Sequence, residues 1–159
     1  MGAQYRILTS DELTHLEEEL KQFLIVNGVY AEEWGRLNQE DPDKAIALVE
    51  LFSDSVLQKV YEKVTVLEFR AIESALLFNF GKESVKLITI QRKSDSRVDL
   101  STPEGIHEAL VYKIPELEFY RSEKQYTIQR ELEIHQLVEQ GCLLSDQTLW
   151  DSLDKLTAN

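Results

Sequence analysis

VTVLEFRAIESALLFNFGKESVKLITIQR, residues 64–92, decides the fold class. Here the apolar residues recur at alternate positions, the period of a half-buried strand. Three strands are predicted: Val64–Ala71, Ser74–Phe80 and Val85–Arg92. Short polar links at Ile72-Glu73 and Gly81-Lys82-Glu83-Ser84 favour an antiparallel meander. If the turns keep register, Leu67, Phe69, Leu76, Phe78, Phe80, Ile88 and Ile90 share a core face. The other face mixes Val66, Leu77 and Leu87 with Glu68, Arg70, Asn79, Thr89 and Gln91.

Outside this stretch the period is helical. Thr9 and Glu12 form a capping box ahead of Leu13, Leu16, Leu20, Phe23 and Leu24, with Asn27-Gly28 as the stop. A short helix over about 31–39 follows. Asp41-Pro42 then opens a longer one with Ala45, Leu48, Val49, Phe52, Val56 and Val60 on its buried side. Beyond the strands, Thr102-Pro103 starts a helix that Ile114-Pro115 ends, and Glu116–Tyr120 reads as an edge strand. Ser122 and Gln125 form a second capping box, predicting a helix to about Gln140 with Gly141 as its C-terminal cap. A last amphipathic helix from Ser145 carries Leu149, Trp150, Leu153 and Leu156. The reading is one α+β domain over residues 1–159: a three- to four-stranded antiparallel meander packed against amphipathic helices from both flanks.

Charge follows the same divisions. Residues 1–62 carry 13 acidic and 5 basic side chains, residues 63–100 carry 5 and 7, and residues 101–159 carry 11 and 5. The net charge is −12. Such a surface repels phosphate backbones and anionic lipids, so nucleic acid is disfavoured and a basic protein partner is expected. No apolar run approaches the roughly 20 residues of a membrane span. Met1–Leu8 lacks the basic-then-apolar pattern of a secretory signal, and the single Cys142 rules out an internal disulfide framework. A cytoplasmic location fits both.

The motif inventory points away from catalysis. His15, His107 and His135 fall on separate predicted helices, without HxxxH, CxxC or HExxH spacing, so no metal is expected. Neither a GxSxG elbow nor a glycine-rich phosphate loop is present. No basic neighbour in sequence activates Cys142. No cofactor is implied.

Two functional readings remain. The first is a non-enzymatic interaction module whose acidic helices meet a basic partner, using Glu17, Glu18, Glu19 and Trp34, with Arg92, Lys93 and Arg97 as a second, basic contact. The second is a small-molecule binder or enzyme built on the mixed sheet face, with Glu68, Arg70, Asn79 and Gln91 as polar anchors. The Arg92–Arg97 loop as a nucleic-acid contact is weaker, because it lacks an aromatic for base stacking. Homodimerisation through the half-apolar sheet face or an edge strand is compatible with the pattern.

The chain resembles the short uncharacterised Bacteroidetes proteins grouped as a domain of unknown function. The shared features are Tyr5-Arg6-Ile7-Leu8, Glu32-Glu33-Trp34, Phe52-Ser53-Asp54 and Leu67-Glu68, then Tyr126, Arg130 and Leu137-Val138-Glu139-Gln140-Gly141. The resemblance implies a bacterial, cytoplasmic, single-domain protein and lends no catalytic residue.

Overall fold

A computed structural model describes residues 2–158. The chain divides after Glu62 into two compact units, at the same place where the charge changes sign.

The first unit holds four helices: α1 (Ser10–His15), α2 (Glu17–Val26), α3 (Ala31–Glu40) and α4 (Pro42–Glu62). The Thr9–Glu12 capping box forms, with the Glu12 amide 3.2 Å from Thr9 Oγ1 and the Thr9 amide 2.9 Å from Glu12 Oε1. The single helix expected from Thr9 to Asn27 is instead broken at Leu16, whose ψ is 25°. In the turn before the break, Thr14 Oγ1 donates back to the Ser10 carbonyl and His15 Nδ1 lies 2.8 Å from the Asp11 carbonyl. Side-chain bonds of this kind compete with the helical ladder. Gly28, at φ 78°, ends α2 in the left-handed conformation open to glycine.

Residues 4–8 lie along α4. The Gln4 and Tyr5 amides donate to the Asp54 carboxylate at 2.7 and 2.9 Å. The Leu8 amide donates to the buried Ser53 hydroxyl at 2.9 Å, and the Tyr5 ring meets Tyr61 edge-on at 5.2 Å. The buried stripe of α4 runs through Ala45, Phe52, Ser53, Leu57 and Tyr61, while Val60, expected inside, is exposed. The serine and tyrosine that hold residues 4–8 set the stripe one position away from Val60.

The second unit is built on a five-stranded, wholly antiparallel sheet: β1 (Val66–Arg70), β2 (Ser74–Phe80), β3 (Ser84–Arg92), β4 (Leu117–Gln125) and β5 (Leu143–Leu144), in the order β4-β3-β2-β1-β5. Helices α5 (Pro103–Tyr112), α6 (Arg130–Glu139) and α7 (Gln147–Thr157) complete it, with a 3-10 turn at Ile114–Glu116. The sheet thus has one or two more strands than the sequence predicts. The edge strand extends to Gln125 because all nine of its residues pair with β3, from Leu117↔Arg92 to Gln125↔Ser84. That ladder overrides the local capping signal at Ser122. Helix α6 therefore starts seven residues late, at Arg130. Gly141, at φ 107°, turns the chain from α6 into β5, which pairs Leu67↔Leu144 and Glu68↔Leu143.

The β2–β3 turn joins Phe80 to Val85, so even positions in β2 oppose odd positions in β3, and odd oppose even: Leu77↔Ile88 and Phe78↔Leu87. Successive strand residues alternate faces. Val66, Glu68, Arg70, Ala75, Leu77, Asn79, Ile88 and Ile90 consequently share one face. Leu67, Phe69, Leu76, Phe78, Phe80, Leu87, Thr89 and Gln91 share the other. Ile88 and Ile90, expected beside Leu67 and Phe80, lie instead on the first face, and Leu87, Thr89 and Gln91 lie on the second; both faces carry buried residues, Leu67, Phe80 and Val85 on the second. Val66, Ala75, Leu77, Ile88 and Ile90 are buried in a cluster with Ile106 and Ala109 of α5 and Trp150 and Leu153 of α7. Helix α6 covers part of the opposite face.

Two outcomes follow from these contacts. Ile88→Ala should cost about 2–5 kcal/mol in urea unfolding, as for a fully buried aliphatic, whereas Thr89→Ala should cost under about 1 kcal/mol. In the first unit, hydrogen bonds from Arg6, helped by the Thr9 amide, hold the Glu12 carboxyl down from 4.5 to about 2. A depressed carboxyl stabilises fully above its unfolded value, and that contribution is lost as pH falls through its folded value. The melting-temperature deficit of Glu12→Gln relative to wild type should therefore shrink between about pH 5 and about pH 2.

Candidate functional site

Of the four polar sheet residues singled out from the sequence, the fold brings two together. Arg70 Nε lies 2.9 Å from Glu68 Oε2, and the side chains are only 18% and 12% exposed. The contact is an ion pair without a well-directed hydrogen bond, since Arg70 Nε has no hydrogen-bond acceptor among the described residues. Asn79 shares their face but stands opposite Val66 and Lys86. Gln91 lies on the other face, where its amide donates to the Glu73 carbonyl at 3.1 Å. The odd-to-even register separates it from the other three.

Glu68 instead borders a cleft of about 630 Å³ between α5 and α7, with His107, Ser145 and Asp146 on its walls. Ser145 Oγ is buried there without a hydrogen-bond partner among the described residues. Both carboxylates at this cleft have work already. Glu68 balances Arg70, and Asp146 caps α7 by accepting the Leu149 amide at 2.6 Å.

The basic loop is structured. Arg92 Nη1 donates to the Val98 carbonyl at 2.9 Å, its Nη2 is 3.6 Å from Glu73, and the Ser96 hydroxyl donates to Glu116 at 2.8 Å. Arg92 braces the loop, while Lys93 and Arg97 are exposed.

In the first unit, Glu17, Glu18 and Glu19 are exposed along the start of α2. Lys21 Nζ lies 3.7 Å from Glu17 and 3.5 Å from Glu18. Pairs this exposed contribute about 0–1 kcal/mol. Trp34 is half-buried in a groove of about 670 Å³ between α2 and α3, shared with Leu24, Ile25, Tyr30, Glu32 and Glu33. Trp150 is buried in the sheet core, as the leucines around it suggest. Cys142 is also buried, and burial pushes its thiol up, away from the reactive thiolate.

Glu133 is not among the residues that the sequence pattern singles out. It is 8% exposed on α6 and borders a cavity against the sheet. The signal was present, because Glu133, Leu137 and Gln140 fall on one helical stripe. The stripe lies within the helix expected to run to Gln140, but its burial against the sheet depends on packing between elements distant in sequence.

Among the described residues, no group of three or more histidine, cysteine or carboxylate side chains is placed to hold a metal ion. No helix among them is long and apolar enough to cross a membrane. A family model described as "Family of unknown function (DUF6495)" matches residues 1–158. No curated protein and no solved structure matches the chain.

The Glu68–Arg70 pair makes a directional prediction. Removing one partner leaves a buried charge, so Glu68→Gln should destabilise the chain more than Glu68→Gln with Arg70→Met. Denaturant titrations of both variants check the order.

Proposed function

We propose, from the premise that the chain belongs to this family of unknown function, DUF6495, that it is a non-enzymatic binding module whose acidic first unit docks a basic, amphipathic segment of a partner protein. The observation that carries this reading is apolar surface left in water within an acidic unit. Ile25 is 43% exposed and Tyr30 is 58% exposed, and both border the groove that holds Trp34. Contiguous apolar exposure of this kind marks interaction surfaces. A half-buried tryptophan is a suitable anchor for a partner's apolar side chain.

Charge selects the partner's sign. The unit carries 13 acidic against 5 basic residues, and Glu17, Glu18 and Glu19 lie on the helix that forms one groove wall. The field speeds encounter with a cationic segment, while the groove retains it. Lys21 and Arg36 also border the groove and balance Glu32 and Glu33 locally. The steering charge therefore comes from the surrounding helices, and the groove contributes apolar contact.

The experiment uses the full chain and a synthetic Lys/Leu amphipathic helical peptide in stopped-flow binding. Glu17→Gln, Glu18→Gln and Glu19→Gln combined should slow association at low salt and leave stability within about ±0.5 kcal/mol. Trp34→Ala should chiefly speed dissociation. Absence of wild-type binding at low salt, or rates unchanged in both variants, would contradict the proposal.

A further inference from the structure

We infer a second binding site, independent of the partner groove: the cavity under α6 receives a compact apolar molecule carrying one hydrogen-bond donor. The cavity measures about 350 Å³. Phe78, Phe80, Val85 and Leu87 of the sheet and Leu137 of α6 form its apolar walls, with Glu133 as the buried polar group. A few polar groups set into an apolar concavity is the usual composition of a small-molecule pocket.

Glu133 gives the site its chemistry. Its Oε1 accepts from Lys124 Nζ at 2.9 Å and lies 3.5 Å from Thr127 Oγ1. Its Oε2 is fully buried and has no hydrogen-bond partner among the described residues. An unmatched buried acceptor costs free energy that a donor recovers, and because Oε2 has almost no surface open to the cavity, the occupant's donor meets it through a turn of the Glu133 carboxylate. The lysine already balances the carboxylate charge, so a neutral hydroxyl serves as well as an ammonium. A carboxylate ligand is rejected, because its oxygens would face Glu133 with no proton between them.

Size narrows the occupant further. A dry apolar cavity of about 150 Å³ holds benzene. The larger space under α6 suits a phenylalkyl or branched-aliphatic group of roughly twice that bulk. The Phe78 and Phe80 rings, 6.4 Å apart and 25° from parallel, offer it an aromatic wall.

The test is a chemical-shift titration of the isotope-labelled full chain with four probes: 2-phenylethanol, phenethylamine, ethylbenzene and 3-phenylpropionate. The alcohol and the amine should give saturable shifts centred on Phe78, Leu87 and Leu137. Ethylbenzene should bind at least about tenfold more weakly, the equivalent of one hydrogen bond to a charged group. The propionate should be weakest. Glu133→Gln should erase the preference for the donor probes, and Leu87→Trp should block all four by filling the cavity. Unchanged amide spectra away from α6 would establish that each variant is folded. Ethylbenzene binding as tightly as the alcohol, shifts centred elsewhere, or no saturable binding by any probe would overturn the inference.

Discussion

The register between β2 and β3 determines what each face of the sheet can do. A turn that closes Phe80 on Val85 forces Leu77 against Ile88 and Phe78 against Leu87. Side-chain period in a strand is two, so a slip of one residue would exchange the faces of every later position. With this register, Ile88 and Ile90 join Val66, Ala75 and Leu77 in the core that α5 and α7 complete. Leu87 is left for the opposite face, where it becomes a wall of the cavity under α6. The core and the pocket are two consequences of one turn.

Helix α6 is held over that second face by a polar anchor at its start. Arg130 Nε donates to the Gly81 carbonyl at 3.1 Å, and its Nη2 donates to the carbonyls of Phe80, at 3.3 Å, and Val64. The Tyr126 hydroxyl donates to the same Gly81 carbonyl at 2.7 Å. These bonds tie the helix to the turn that sets the register. Tyr126 and Arg130 are among the residues that carry the resemblance, and their role here is architectural. The same holds in the first unit, where Tyr5 and Leu8 meet Ser53 and Asp54. In this chain the residues of these motifs hold the structure together.

Much of this was legible locally. Capping at Thr9 and Thr102, glycine stops at Gly28 and Gly141, and period-two apolar residues in β1 to β3 all act within a few positions. What was hidden depends on distant partners. Ser122 to Gln125 carries a helix-start pattern, yet pairing with β3 makes it strand. Residues 143 and 144 become strand only by pairing with β1. The faces of β3 depend on one turn's length, so the expected set of Glu68, Arg70, Asn79 and Gln91 was split. Glu133 stayed out of view because its burial depends on how its helix packs on the sheet, which no local pattern shows.

The most direct test of this arrangement is a methyl nuclear Overhauser measurement on Leu87. The structure predicts cross-peaks from its methyl groups to the ring of Phe78, its direct partner on the neighbouring strand. Cross-peaks instead to Ile106 of α5 or Leu153 of α7 would contradict the account. They would place Leu87 in the core, turn Ile88 and Ile90 toward α6, and remove the pocket.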